Sequence, residues 1–152
     1  MAGIEQGDHI VLIENDRVYS LLRQKLSASL SQEDWKKIYL INNFDYYFSS
    51  GSFNPPYIFA YLDRVLKPYI EQTLTFRIWA HVEWNKEEDV LHILKEFEHE
   101  ADRLVNENKL MLVCDYNKER VQPSLDQSLM ECHEYILTEN EILPSEEYLY
   151  KK

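Results

Sequence analysis

Apolar and polar positions alternate along the chain in two periods, and the period switches mark its elements. His9–Glu14 (HIVLIE) is a nearly continuous apolar run behind Gly7 and Asp8, the pattern of a strand buried on both faces. Asn15 and Asp16 then supply caps for a helix. In that helix Val18, Leu21, Leu22, Leu26 and Leu30 share one face at spacings of three and four. Lys37–Ile41 reads as a second strand. Asn42–Phe53 is aromatic, with Gly51 in a Ser-rich turn, and reads as a loop. Asn54-Pro55-Pro56 is a sharp helix start, because proline lacks only an N–H that has no partner in the first turn. Ile58, Leu62, Val65, Leu66 and Tyr69 form its apolar face, and Pro68 is expected to kink or divide it.

The second half continues the alternation. Phe76–Val82 reads as a third strand. Glu87–Asn108 has the clearest helical pattern of the chain, with Val90, Leu91, Leu94, Phe97, Ala101, Leu104 and Val105 on one face and an acidic first turn. Leu110–Asp115 reads as a fourth strand, Pro123 opens a short helix with Leu125, Leu129 and Met130 inward, and Tyr135–Leu137 is a fifth strand before an acidic tail. Strand–helix repetition of this kind predicts an α/β fold, a mostly parallel sheet covered by helices on both faces, in a single domain over residues 1–152. Ligands in such sheets sit beyond the carboxyl ends of the strands.

Composition narrows the chemistry. The 152 residues carry a net charge of −11, which opposes binding to nucleic acid, while 45% hydrophobic residues supply a core. The three glycines, Gly3, Gly7 and Gly51, make no phosphate-cradling loop, which disfavours ATPase, kinase and dinucleotide readings. No apolar run approaches the roughly 18 residues that span a bilayer, and the first 16 residues lack the signal-peptide pattern. A cytoplasmic location without membrane contact is the expectation. Cys114 and Cys132 do not make a disulfide framework and read as buried small hydrophobes.

Several side-chain groups are candidates for chemistry. His92, Glu96 and His99 share a helix face, but it lies opposite the apolar stripe and reads as solvated, so no metal is expected there. Glu98 falls within about 60° of the stripe, at roughly 100° per residue, and needs a partner. Arg77 on the preceding strand is the one expected, either as a structural ion pair or as an arginine anchored towards a pocket. His81-Val82-Glu83-Trp84 ends the third strand, with His81 and Glu83 on one side. It fits a small-molecule site equally with a polar strand end capped by tryptophan. Cys114-Asp115-Tyr116 ends the fourth strand. Cys114 with His133 lacks an orienting third residue, and His133 suits a helix C-terminus. Glu131–Glu147 carries six Glu and no basic residue, a solvated face or a docking surface for a basic partner.

These blocks, taken in order, resemble the MEDS family, the methanogen/methylotroph and DcmR sensory domain. Gly7-Asp8-His9-Ile10 with Glu14-Asn15-Asp16 resembles its opening strand and acidic turn. Tyr47 and Gly51-Ser52-Phe53-Asn54-Pro55 resemble its Tyr–x–x–x–Gly–x–Phe–Asp–Pro lead into a helix. Phe76-Arg77-Ile78 with Trp84, then Phe97-Glu98, Val113-Cys114-Asp115-Tyr116, and Leu129-Met130 with His133 resemble its later blocks. Three departures stand out. Only Ser31–Phe44 fills a gap that usually holds a strand and a helix, Asn117 replaces an Asp, and Glu134 replaces a Pro.

The resemblance implies a three-layer α/β/α fold like a RecA-type, P-loop-NTPase-like core without its P-loop. It also implies a non-enzymatic sensor of small ligands, without cofactor, that modulates a signalling protein such as a histidine kinase or transcriptional regulator. The candidate ligand-binding residues are Arg77, His81, Glu83, Trp84, Glu98, Cys114, Tyr116 and His133. With no output domain legible in the chain, the signal is expected to pass through a partner chain. A homodimer stays open. The alternatives are an acidic protein-interaction module without ligand, and an enzyme using Cys114 or the His81/Glu83 pair.

Overall fold

A computed structural model describes residues 1–85 and 89–149. The chain divides into two compact units, Met1–Lys86 with Leu110–Asp115, and Glu87–Lys109 with Tyr116–Lys152.

The first unit holds a four-stranded parallel sheet. Its strands are β1 (His9–Glu14), β2 (Ile38–Asn42), β3 (Phe76–His81) and β4 (Met111–Asp115), in the order β2-β1-β3-β4. Its helices are α1 (Ala2–Glu5), α2 (Asp16–Leu26), α3 (Gln32–Trp35), α4 (Asn43–Phe48) and α5 (Pro55–Glu71). Because β2 and β3 lie on opposite sides of β1, right-handed crossovers put α2 on one face of the sheet and α5 on the other. Along β1, Val11 and Ile13 point to one face and Leu12 and Glu14 to the other. All four are buried, so the strand is covered on both sides. The architecture is three-layer α/β/α, as the alternation predicts.

Local chemistry sets the boundaries. Asn15 accepts a hydrogen bond from the Val18 N–H at 2.9 Å and starts α2. Ser31 and Asp34 make a capping box for α3. Gly7 takes φ +87° in the turn between α1 and β1, a conformation open to glycine at little cost.

Four expectations are corrected. Asn42–Phe53 is not all loop: the Asn42 side chain accepts from the N–H groups of Phe44 and Asp45 and starts α4, which buries Tyr46 and Tyr47. Pro68 does not divide α5, which runs unbroken to Glu71; it stands in the last turn, where little helix remains to lose. Leu21 of α2 is 49% exposed, and Leu30, beyond the helix, takes the buried place. Leu91 likewise points outward at 39% exposure.

The second unit contains α6 (Leu91–Asn108), a 3-10 turn (Lys118–Arg120), α7 (Pro123–Cys132) and a hairpin of β5 (Tyr135–Leu137) and β6 (Ile142–Pro144). The expected start of α6 at Glu87 lies outside the described residues. The observed helix begins after Val90 and has no acidic residue in its first turn. The fifth strand is also corrected: β5 forms a separate antiparallel pair with β6. The segment after it is tied down. Ser145 donates its N–H to the Glu134 carbonyl at 2.8 Å and its hydroxyl to that of Met130 at 2.7 Å, and buried Tyr148 donates to Asp102 at 2.8 Å.

Candidate functional site

The parallel register builds the first site. Neighbouring pairs Ile13–Ala80 and His81–Asp115 put Glu14, His81 and Asp115 at the carboxyl ends of β1, β3 and β4. Alternation places them on one sheet face, with Trp79 one step earlier on the same side. The ligand-capable atoms of Glu14, His81 and Asp115 all lie within 4.8 Å of one another. Three residues from three strands thus converge where ligands of open parallel sheets bind.

Glu14 is only 3% exposed and is held from several directions. Its Oε1 accepts from the Asn15 N–H at 2.9 Å and faces His81 Nδ1 at 2.5 Å. Its Oε2 accepts from Trp79 Nε1 at 3.3 Å. Burial pushes its pKa up, but the contacts with His81, the Asn15 N–H and Trp79 outweigh that and hold it below the ordinary glutamate value. His81 Nε2 faces Glu83 Oε1 at 3.3 Å. With a carboxylate at each ring nitrogen, the imidazole binds its proton more tightly, first through Glu14. Asp115 shifts the other way: burial raises it against the opposing pull of His81, and the Glu14 charge adds to the rise. Three carboxylates share one imidazole here.

Asn43, fully buried at the start of α4, donates from Nδ2 to the His81 carbonyl at 3.2 Å. Its Oδ1 has no hydrogen-bond donor among the described residues.

A second cluster lies within the other unit. Glu98 of α6 is 2% exposed. Tyr116 donates its hydroxyl to Glu98 Oε1, and His133 Nε2 faces Glu98 Oε2 at 3.2 Å. His133 Nδ1 stands 2.8 Å from the Leu129 carbonyl at the end of α7. Both ring nitrogens therefore lie beside acceptors. Burial, with the Glu98 charge behind it, pushes the adjacent Cys132 thiol up to about 11.

His81 and Glu83 join the first cluster. Glu98, Tyr116 and His133 form the second. The Glu98–Arg77 pairing is corrected: Arg77 donates to Asp8 and to Gln6, each at 2.7 Å, near the start of β3. That is four residues, or about 13 Å along the strand, from His81. The Arg77 side chain also lies against Gly3, where a Cβ would come within 3.0 Å of it. Cys114 sits on the sheet face opposite Asp115, by alternation along β4. Trp84 is buried beyond the end of β3. His92 and Glu96 are exposed and His99 half-buried.

Glu14, Trp79 and Asp115 were not candidates. Only the register brings them to His81; the available signal was that acidic residues close two of the apolar strands.

A family model for the MEDS domain, described as the methanogen/methylotroph, DcmR sensory domain, matches residues 1–134. No curated protein and no solved structure matches the chain. With most of its length covered by that model and its blocks set in a three-layer α/β/α arrangement, the chain belongs to the MEDS sensory-domain family.

Proposed function

We propose that the chain works as one non-enzymatic sensory or regulatory module. It binds a small ligand at the carboxyl edge of the parallel sheet in the first unit, and it alters the affinity of a signalling protein such as a kinase or transcriptional regulator. The observation that carries this reading is the convergence of buried Glu14 with half-buried His81 and Asp115 at that edge, with Glu83 beside the imidazole. A ligand changes partner affinity only if it binds two conformations unequally. The test is a thermal-unfolding screen of metabolites, followed by partner capture from the native host with and without each hit. A hit that shifts both the midpoint and the capture supports the reading. Failure of all compounds, with ligand-independent capture, contradicts its ligand half.

The β5–β6 hairpin favours a second reading, an acidic protein-interaction module. Tyr135, Leu137 and Ile142 are 52–67% exposed on one face of the hairpin, and exposed Glu134, Glu139, Glu141, Glu146 and Glu147 lie near them in sequence. An apolar strip framed by carboxylates suits a partner segment that is both basic and apolar. Capture that weakens with salt and disappears in Leu137→Asp, without ligand dependence, favours this module.

A further inference from the structure

We infer that Glu14, His81 and Asp115 bind a divalent transition-metal ion of the zinc class, with Glu83 orienting the histidine. The inference deepens the proposed sensory site by naming the chemical class of its ligand.

The donor set is the first argument. One imidazole and two carboxylates match the mixed nitrogen and oxygen ligands that such ions take. Their donor atoms already lie within 4.8 Å of one another. Ligands around a tetrahedral zinc stand about 3.4 Å apart, so Glu14 Oε1 and His81 Nδ1 need to separate by about 1 Å from their present contact. Two carboxylates neutralise the ion's charge, and a neutral set is the one a half-buried position tolerates best.

The surrounding groups are the second argument. A ligating histidine usually donates its other ring N–H to a carboxylate, which fixes the tautomer. Glu83 Oε1 lies 3.3 Å from His81 Nε2, within ion-pair distance but not aligned as a hydrogen bond, while Nδ1 is turned towards Glu14. This assigns Nδ1 to the metal. Glu14 is itself oriented by the Asn15 N–H and Trp79 Nε1. Glu14 therefore has the outer hydrogen bonds that metal sites need, and His81 has a carboxylate 3.3 Å from its second nitrogen.

Asn43 is the third argument. It is fully buried, its nitrogen is spent on the His81 carbonyl, and its oxygen lacks a donor among the described residues. Buried amide oxygens are rarely left so. A polar group bound beside His81, such as a water held by the metal, would supply that donor. Three protein ligands leave a coordination position open, as in sites where the metal meets a second molecule.

The probe is Zn²⁺ titrated calorimetrically into the chelator-treated full chain, with Co²⁺ as a spectroscopic substitute. One equivalent is expected to bind, to change the Trp79 emission, and to give a cobalt spectrum of low coordination number. Asp115→Asn is expected to weaken binding at least tenfold, and Glu83→Gln by 10–100-fold through orientation alone. His92→Ala with His99→Ala is expected to leave binding unchanged. The inference is overturned if Zn²⁺ does not bind, or if binding survives Asp115→Asn, or if it is lost in the His92/His99 variant instead. Absence of Zn²⁺ binding beside a metabolite-induced thermal shift overturns the metal and leaves the sensory reading standing. Zn²⁺ binding that changes no partner affinity does the reverse.

Discussion

His81 Nδ1 stands 2.5 Å from Glu14 Oε1, joining the ends of adjacent parallel strands β3 and β1. Glu83 Oε1 stands 3.3 Å from the opposite ring nitrogen, without the alignment of a hydrogen bond. This contact fixes how the metal-free chain should respond to pH. The Glu14 pKa is lowered on folding, so its contribution is present above the unfolded value near 4.5 and is lost as pH falls. The His81 pKa is raised, so its contribution is complete below about 6.5 and is lost as pH rises through the folded value. In chelator, urea unfolding across pH should therefore show maximal stability from this pair between the two limits. Glu14→Gln should cost about 3 kcal/mol near pH 6 and flatten both flanks. A profile unchanged by that substitution contradicts the pairing.

Asp115 should behave in the opposite sense. Burial and the nearby Glu14 charge disfavour its ionised form. Asp115→Asn should leave the metal-free chain as stable as wild type at pH 7 or more stable by about 0.5 kcal/mol. Denaturant titration in chelator reads this directly. A loss of more than about 2 kcal/mol assigns Asp115 a structural role instead.

In the second unit, Glu98 is the costly residue. Glu98→Gln puts a neutral amide in a buried place where both Tyr116 and His133 meet a carboxylate, and should cost about 3 kcal/mol. Tyr116→Phe removes one charge-assisted hydrogen bond and should cost about 2 kcal/mol. Thermal unfolding of both variants checks the order, and equal costs or a reversed order contradict the geometry.

Cys132 should be inert in the native chain. It is 1% exposed, and its thiol is pushed up to about 11, so only about one part in a thousand is thiolate at pH 8. Iodoacetamide followed by mass spectrometry should leave it unmodified until urea is added. Rapid native alkylation of Cys132 contradicts this.

The strands and long helices were legible because burial imposes a period on the chain. His9–Glu14 and Tyr135–Leu137 have the predicted bounds, and Asn54-Pro55 marks the start of α5. What escaped depended on partners remote in sequence or on single side-chain caps. One asparagine, Asn42, turns part of an aromatic loop into α4. β6 is three exposed residues whose strand character exists only beside β5. The site was half legible for the same reason. Local alternation placed His81 and Glu83 together, and a helix angle showed that Glu98 needed a partner. The parallel register, which supplies Glu14 and Asp115 and gives Arg77 to Asp8, is written in no local pattern.

The central claim is that the carboxyl edge of the sheet receives a small ligand or ion. Thermal unfolding of the full chain and of His81→Gln, against the same panel of metabolites and divalent ions, tests it most directly. A true ligand at a hundredfold excess over its Kd adds about 2.7 kcal/mol, worth a midpoint shift of about 5–10 °C in a chain of this size. The account predicts such a shift in the wild type and its loss in folded His81→Gln. Equal shifts in both proteins, or none in the wild type, would contradict it.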